Sequence, residues 1–266
     1  MKLSSIAKTL FGFSTGKDVG AQLSEAARHH ADGEYIAAVA IWLPLAKGGN
    51  AEAQTAVGMS LIDGTGADPD ATTGVKWLQA AASQGYAPAQ RNLGNAYLRG
   101  EGAPQSDVDA ELWYRRAANQ GDAAAQDMLS WLLSTDDHRE PNYAEAMKWA
   151  EAAAAQGVAT SMTRIGLFLH NALGVDRDAE GAAAWWQAAA KQAEPDALAM
   201  LGAAYHLGQG VERDDVKAYA HLLAARSGGS KMAERFLDAV RARLSDDDAR
   251  RAAALAKRIS DGGGLP

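Results

Sequence analysis

A 36-residue period runs through most of the 266-residue chain and constrains its fold more than any single motif. Gly49, Gly85, Gly121, Gly157 and Gly229 step along it, with Ala193 on the one rung between them that lacks glycine. Trp77, Trp113, Trp149 and Trp185 keep the same step, and His221 takes the fifth rung. Gly58, Gly94, Gly166 and Gly202 form a third ladder, with Ser130 in the middle place. Small residues recur as well, at Ala38, Gly74, Ala110, Ala146, Ala182 and Ala218, and at Ala53, Ala89, Ala125, Ser161, Ala197 and Ala233. Independent positions that hold one period without a slip mark a tandem array. In such an array each unit is too small to bury its own apolar face, and its neighbours complete the core.

Each unit reads as two helices. Between Ala87 and Arg99, Ala89, Leu93, Gly94 and Tyr97 fall on one stripe of 3.6-residue periodicity. Gly100-Glu101-Gly102 then ends that helix, as glycine does where a C-cap needs positive φ. Ser106 and its equivalents Asp70, Asn142, Asp178 and Asp214 are all good N-cap types for the second helix. That helix carries Ala110, Trp113, Tyr114, Ala117 and Ala118 before Gln120-Gly121 closes the unit. No segment shows the alternation of a strand, so the fold class is all-α. Small residues such as Gly94 and Ala117 suit close helix packing, with the large Trp113 filling the space beside them. The tryptophan ladder is therefore expected in the core, and Trp113→Ala is expected to cost about 3–5 kcal/mol.

The run Ala89-Gln90, Leu93-Gly94, Tyr97, Gly100-Glu101-Gly102, Trp113-Tyr114, Ala117-Ala118, Gln120-Gly121 resembles the Sel-one-like repeat, a relative of the tetratricopeptide repeat. Leu201-Gly202, Tyr205, Gly208-Gln209-Gly210-Val211, Asp214 and Lys217-Ala218 are similarly close to it. The resemblance covers 51–229 as five full units, with a shorter helical hairpin at 20–48 in front. It implies a right-handed α/α superhelical solenoid of helix-turn-helix repeats whose first helices line a concave groove. The third unit departs from the pattern. It has Leu129-Ser130 for Leu-Gly, and Ser134–Tyr143 where the others carry all or part of a Gly-x-Gly turn, so an altered inter-helix loop is expected there.

The ends differ from the array. Residues 1–19 read as an N-terminal extension: Leu3, Ile6, Leu10 and Phe13 fall near one helical face, while Lys8 interrupts what a secretory apolar core would need. A frayed segment or short packing helix fits these residues, and a cryptic signal or membrane-surface anchor is the alternative. At the other end, 230–260 reads as a helical cap. Ser245 before Asp246, Asp247 and Asp248 is a helix start, and Lys257 and Arg258 suit its finish. The glycine-rich 261–266 reads as a disordered tail.

Chemistry has little support in the residues. Zero cysteines exclude a disulfide scaffold, a thiolate zinc site and a cysteine nucleophile. A net charge of −7 argues against broad capture of nucleic acid and of anionic membranes. No apolar run reaches the roughly 18–20 residues that span a bilayer. His29-His30 diverge on a helix, and His170 and His206 sit at equivalent sites of neighbouring repeats, too far apart for a tight site without a third ligand. His138 lies in the irregular loop beside Asp136, Asp137 and Glu140, which an exposed acidic loop explains equally well. Nucleophile elbow, phosphate loop and HExxH are all missing, so neither catalysis, metal nor cofactor is expected.

What remains is the groove that the resemblance implies. The groove-facing positions of the related tetratricopeptide pattern fall here on Met59, on Arg91, Asn95 and Arg99, on Asp127 and Trp131, on Leu167, His170 and Asn171, and on His206. Apolar patches beside Arg, Asn and Asp side chains suit a peptide, and Trp131 lies off the tryptophan ladder, as a hot-spot aromatic or as filler for a packing gap. The expected function is a non-enzymatic scaffold that binds another protein or peptide, with no nucleic acid, no strong membrane signal and self-association open. A cytoplasmic location is expected. The alternative is a cell-envelope protein binding peptidoglycan-related ligands; relatives of that kind carry disulfides in their repeats, which this chain cannot form.

Overall fold

The computed structural model describes residues 18–135 and 140–261, and every regular element among them is a helix. The helices are α1 (Val19–Ala31), α2 (Tyr35–Lys47), α3 (Ala51–Asp63), α4 (Ala71–Ser83), α5 (Ala87–Arg99), α6 (Asp107–Ala118) and α7 (Ala123–Ser134). They continue with α8 (Tyr143–Ala155), α9 (Ala159–Asn171), α10 (Ala179–Ala190), α11 (Pro195–Leu207), α12 (Asp215–Ser227), α13 (Glu234–Arg241) and α14 (Asp246–Ser260). The chain divides into two compact units, residues 1–125 and 126–266, with the boundary inside α7. The expectations for 1–17, for Asp136, Asp137, His138 and Arg139 and for 262–266 lie outside the described residues.

Local chemistry starts and stops these helices. At each second helix a side-chain oxygen accepts a backbone N–H three residues on: Asp70 from Thr73 at 3.0 Å, Ser106 from Asp109 at 3.1 Å, Asn142 from Glu145 at 3.1 Å, Asp178 from Gly181 at 2.8 Å and Asp214 from Lys217 at 2.9 Å. The same residues return to the first helix of their own repeat. Asp70, Ser106, Asn142, Asp178 and Asp214 donate their N–H to the carbonyls of Leu61, Tyr97, Leu133, Leu169 and Tyr205 at 2.8–3.0 Å. The third repeat therefore closes its hairpin with the same bond as the others, although its loop sequence differs. Gly102 shows why the turns need glycine. Its φ is +72°, and a Cβ there would stand 2.1 Å from the carbonyl oxygen of Ala71, at the start of the second helix one repeat earlier.

The deepest core position is not the tryptophan ladder. Trp77, Trp113, Trp149 and Trp185 are only half-buried, on the flank of each second helix, and Arg116 stacks over the Trp113 ring at 4.3 Å. The fully buried position is the next residue: Leu78, Tyr114, Ala150, Trp186 and Leu222 are at most 1% exposed. The glycine ladder faces it. A Cβ on Gly94 would lie 2.7 Å from the Tyr114 ring, and one on Gly166 would lie 2.3 Å from Nε1 of Trp186. Tyr114, not Trp113, therefore occupies the space that Gly94 opens. His221, on the fifth rung, is the exception in being buried, and burial pushes its imidazole pKa down.

A second ladder ties the two helices of a repeat together and reaches back to the helix before it. Nε2 of Gln84, Gln120 and Gln156 donates to Oε1 of buried Gln54, Gln90 and Gln126 at 2.7, 2.7 and 2.8 Å. Gln54 and Gln90 in turn donate to the carbonyls of Ala46 and Ala82 at 3.2 and 3.1 Å. These amides add a second donor to last-turn carbonyls of the preceding helices, which also accept from the Gly49 and Gly85 N–H at 3.0 Å. In the fourth repeat Met162 takes the acceptor's place, and Gln192 donates instead to the Gly157 carbonyl at 3.1 Å. The C-terminal pair α13 and α14 packs on α12 and closes the second unit, with Leu237, Val240, Ala252 and Ile259 buried in its core.

Candidate partner-binding face

The candidate residues all lie on first helices of repeats, and the two units hold different sets. In the first unit Met59 is on α3, and Arg91, Asn95 and Arg99 are on α5. In the second, Asp127 and Trp131 are on α7, Leu167, His170 and Asn171 on α9, and His206 on α11. First helices one repeat apart are neighbours, α3 beside α5 and α9 beside α11.

Several of these side chains are committed to internal bonds. Nη1 of Arg91 lies 3.3 Å from both carboxylate oxygens of Asp122, which also caps α7 by accepting from the Ala125 N–H at 2.8 Å. Asp127 accepts from Arg164 Nη1 at 2.7 Å and from the Thr160 hydroxyl at 3.0 Å. His206 Nδ1 lies 2.8 Å from Oδ1 of Asp215, whose second oxygen accepts from Nε of Arg243 at 2.8 Å. Burial pushes the Asp215 carboxyl up, but the hydrogen bonds from Arg243 and His206 and the Arg213 charge outweigh it and hold its pKa low. This cluster ties the C-terminal cap to the fifth repeat. Asn95 accepts from the Tyr114 hydroxyl at 2.7 Å, and burial keeps that phenol protonated to well above its ordinary pKa.

The others are open or half-open. Trp131 is 38% exposed on α7. Arg99 and Asn171 are exposed; Met59 and Leu167 are half-buried against the cores of their own units. His170 is half-buried beside the Trp186 ring at 5.5 Å, its Nδ1 has no partner among the described residues, and burial and then Arg177 depress its pKa. Its equivalent His206 has Asp215 to bond; the corresponding position for His170 is Ala179. Among the described residues, no three His, Asp or Glu side chains converge as metal ligands. Among the same residues no helix is long and apolar enough to cross a membrane.

Sequence reasoning missed the partners more than the positions. Arg91 and Asp122 are 31 residues apart, and Asp127 and Arg164 are 37. Neither spacing belongs to a local motif. The glutamine ladder did carry a signal, since Gln54, Gln90 and Gln126 repeat at 36 residues, as do Gln84, Gln120, Gln156 and Gln192.

The geometry agrees with what comparisons find. The Sel1 repeat model matches residues 51–86, 87–122, 123–158, 159–194 and 195–230, the irregular third repeat included. None of the curated proteins matches the chain. Among solved structures, c5321, described as a protective antigen present in uropathogenic Escherichia coli strains displaying an SLR fold, superposes with a TM-score of 0.86 at 26% identity. The superposition covers 93% of this chain and 54% of that one, so the chain spans about half the length of that protein. A Sel1 repeat protein from Oxalobacter formigenes matches with a TM-score of 0.76 at 27% identity, over 89% of this chain and 99% of that one. Tandem 36-residue helical hairpins and matches of this breadth place the fold in the α/α solenoid class. With five consecutive repeats matched, the chain belongs to the Sel1 repeat family.

Proposed function

We propose that the protein is a non-enzymatic scaffold that holds a partner protein or peptide on its exposed first-helix faces. Sel1 repeat proteins are generally protein-interaction scaffolds and typically lack enzymatic activity, which supports this class for the chain. The observation that carries the finer reading is Trp131. It is a large aromatic side chain that no ladder requires, and it stands on a first helix with 38% of its surface open. Buried aromatic anchors dominate interface energetics, and an exposed tryptophan is an anchor awaiting its pocket. In the same unit Leu207, at the end of α11, is 53% exposed.

The test is capture by the full chain and by Trp131→Ala from the native lysate, compared protein by protein. The variant is expected to lose partners that the parent retains while helicity and Tm stay unchanged. An identical partner set would contradict the assignment. A cytoplasmic location belongs to this proposal. Fractionation checks it, and recovery in the envelope fraction would favour a peptidoglycan-related ligand instead.

A further inference from the structure

The geometry points to a carboxylate-binding site on α5, formed by Arg91, Asn95 and Arg99, that takes an acidic segment of a protein partner. The three residues are four apart, so they drift by only about 40° per step and share one face of the helix. The central one is fixed from below. Tyr114 is fully buried, and its hydroxyl finds its acceptor in Oδ1 of Asn95 at 2.7 Å. That bond uses the amide oxygen and leaves the amide nitrogen, with two N–H donors, without a partner among the described residues. Asn95 therefore presents donors alone to a ligand.

A guanidinium stands on either side. Arg99 is 66% exposed at the end of α5, and its nearest carboxylate, Glu101, is 3.8 Å away, beyond hydrogen-bond distance. Arg91 spends Nη1 on Asp122, which is held in turn as the cap of α7, and its other guanidinium nitrogens have no partner among the described residues. Both cations act on the Tyr114 hydroxyl, against the larger effect of burial. Glu101 and Asp122 offset part of this charge without filling the donor set. A carboxylate fits what is left, since it can accept from the amide and from both guanidinium groups in charge-assisted bonds. On a chain of net charge −7, a local donor face of this kind also orients an acidic partner segment.

The inference rests on the scaffold reading, and its test separates the two. The full chain is titrated against fluorescein-labelled octaglutamate with an amidated C-terminus, by anisotropy, and against octalysine and inorganic phosphate. Arg99→Ala, Asn95→Asp and Leu112→Ala, an exposed second-helix control, are run alongside. Asn95→Asp keeps an acceptor for Tyr114 and removes the donors, so its Tm reports folding independently of binding. Octaglutamate is expected to bind and to shift the Asn95 side-chain amide in the NMR spectrum. Binding should weaken about tenfold or more in Arg99→Ala and Asn95→Asp, and remain unchanged in Leu112→Ala. Absence of octaglutamate binding, equal binding by the two α5 variants, or tighter binding of inorganic phosphate would overturn the site. If octaglutamate fails while Trp131→Ala still loses captured partners, this site falls and the scaffold reading stands.

Discussion

In the fourth repeat the first helix gives up a side chain at Gly166, and the second helix fills the space with Trp186, whose indole N–H donates to the Thr163 carbonyl at 3.2 Å. In the third repeat the same two positions hold Ser130 and Ala150, both completely buried. One repeat pairs the smallest residue with the largest, and the other pairs two small ones. The repeat does not store a fixed set of core residues. It keeps the first-helix position small and lets the facing residue of the second helix, from Ala150 to Trp186, take its share of the space between them. The third repeat carries a cost for its choice, because the Ser130 hydroxyl is buried with no partner among the described residues.

Truncating the two pairs tests this sharing. Trp186→Ala should have the largest effect, about 3–5 kcal/mol lost in denaturant unfolding, since it empties the whole site and frees the Thr163 carbonyl. Gly166→Ala should cost about 1–3 kcal/mol, because the added methyl meets an indole that cannot retreat. Trp185→Ala sharpens the contrast between neighbours on one helix. Half-buried, it should cost about 1–2 kcal/mol, and a loss equal to that of Trp186→Ala would restore the tryptophan ladder to the core.

A pH titration extends the comparison to the fifth repeat. His221 is buried and its pKa lies below the ordinary value of about 6.5. The unfolded chain therefore binds the proton first. The stability His221 contributes is complete above about pH 6.5 and is lost as pH falls toward the folded-state value. His221→Phe should flatten that slope in thermal melts. Ser130→Ala should have the smallest effect, neutral to about 1 kcal/mol stabilising, because it removes an unsatisfied hydroxyl without opening a cavity of any size.

Much of the fold is legible in the sequence where the chemistry is local. The N-caps at Asp70, Ser106, Asn142, Asp178 and Asp214 bond within three residues, and the helix break at Gly100 follows from its own φ of +69°. The core position was harder. Tryptophan on four rungs is conspicuous, whereas Leu78, Tyr114, Ala150, Trp186 and Leu222 share no residue type and become a ladder only when the facing glycines are seen. The candidate face was legible in position but not in availability. Asp127 and His206 carry suitable groups on first helices, yet Arg164 and Asp215 already hold them. Trp131 lies off the tryptophan ladder, but so does the buried Trp186, and only the exposure of Trp131 separates the two.

The most direct measurement places a photo-crosslinking phenylalanine derivative at one of two exposed positions of the full chain, Trp131 on a first helix or Leu112 on a second. Leu112 is 45% exposed and serves as the matched control. The account predicts that the probe at 131 crosslinks to captured partner and the probe at 112 does not. Crosslinking at 112 with none at 131 would contradict it.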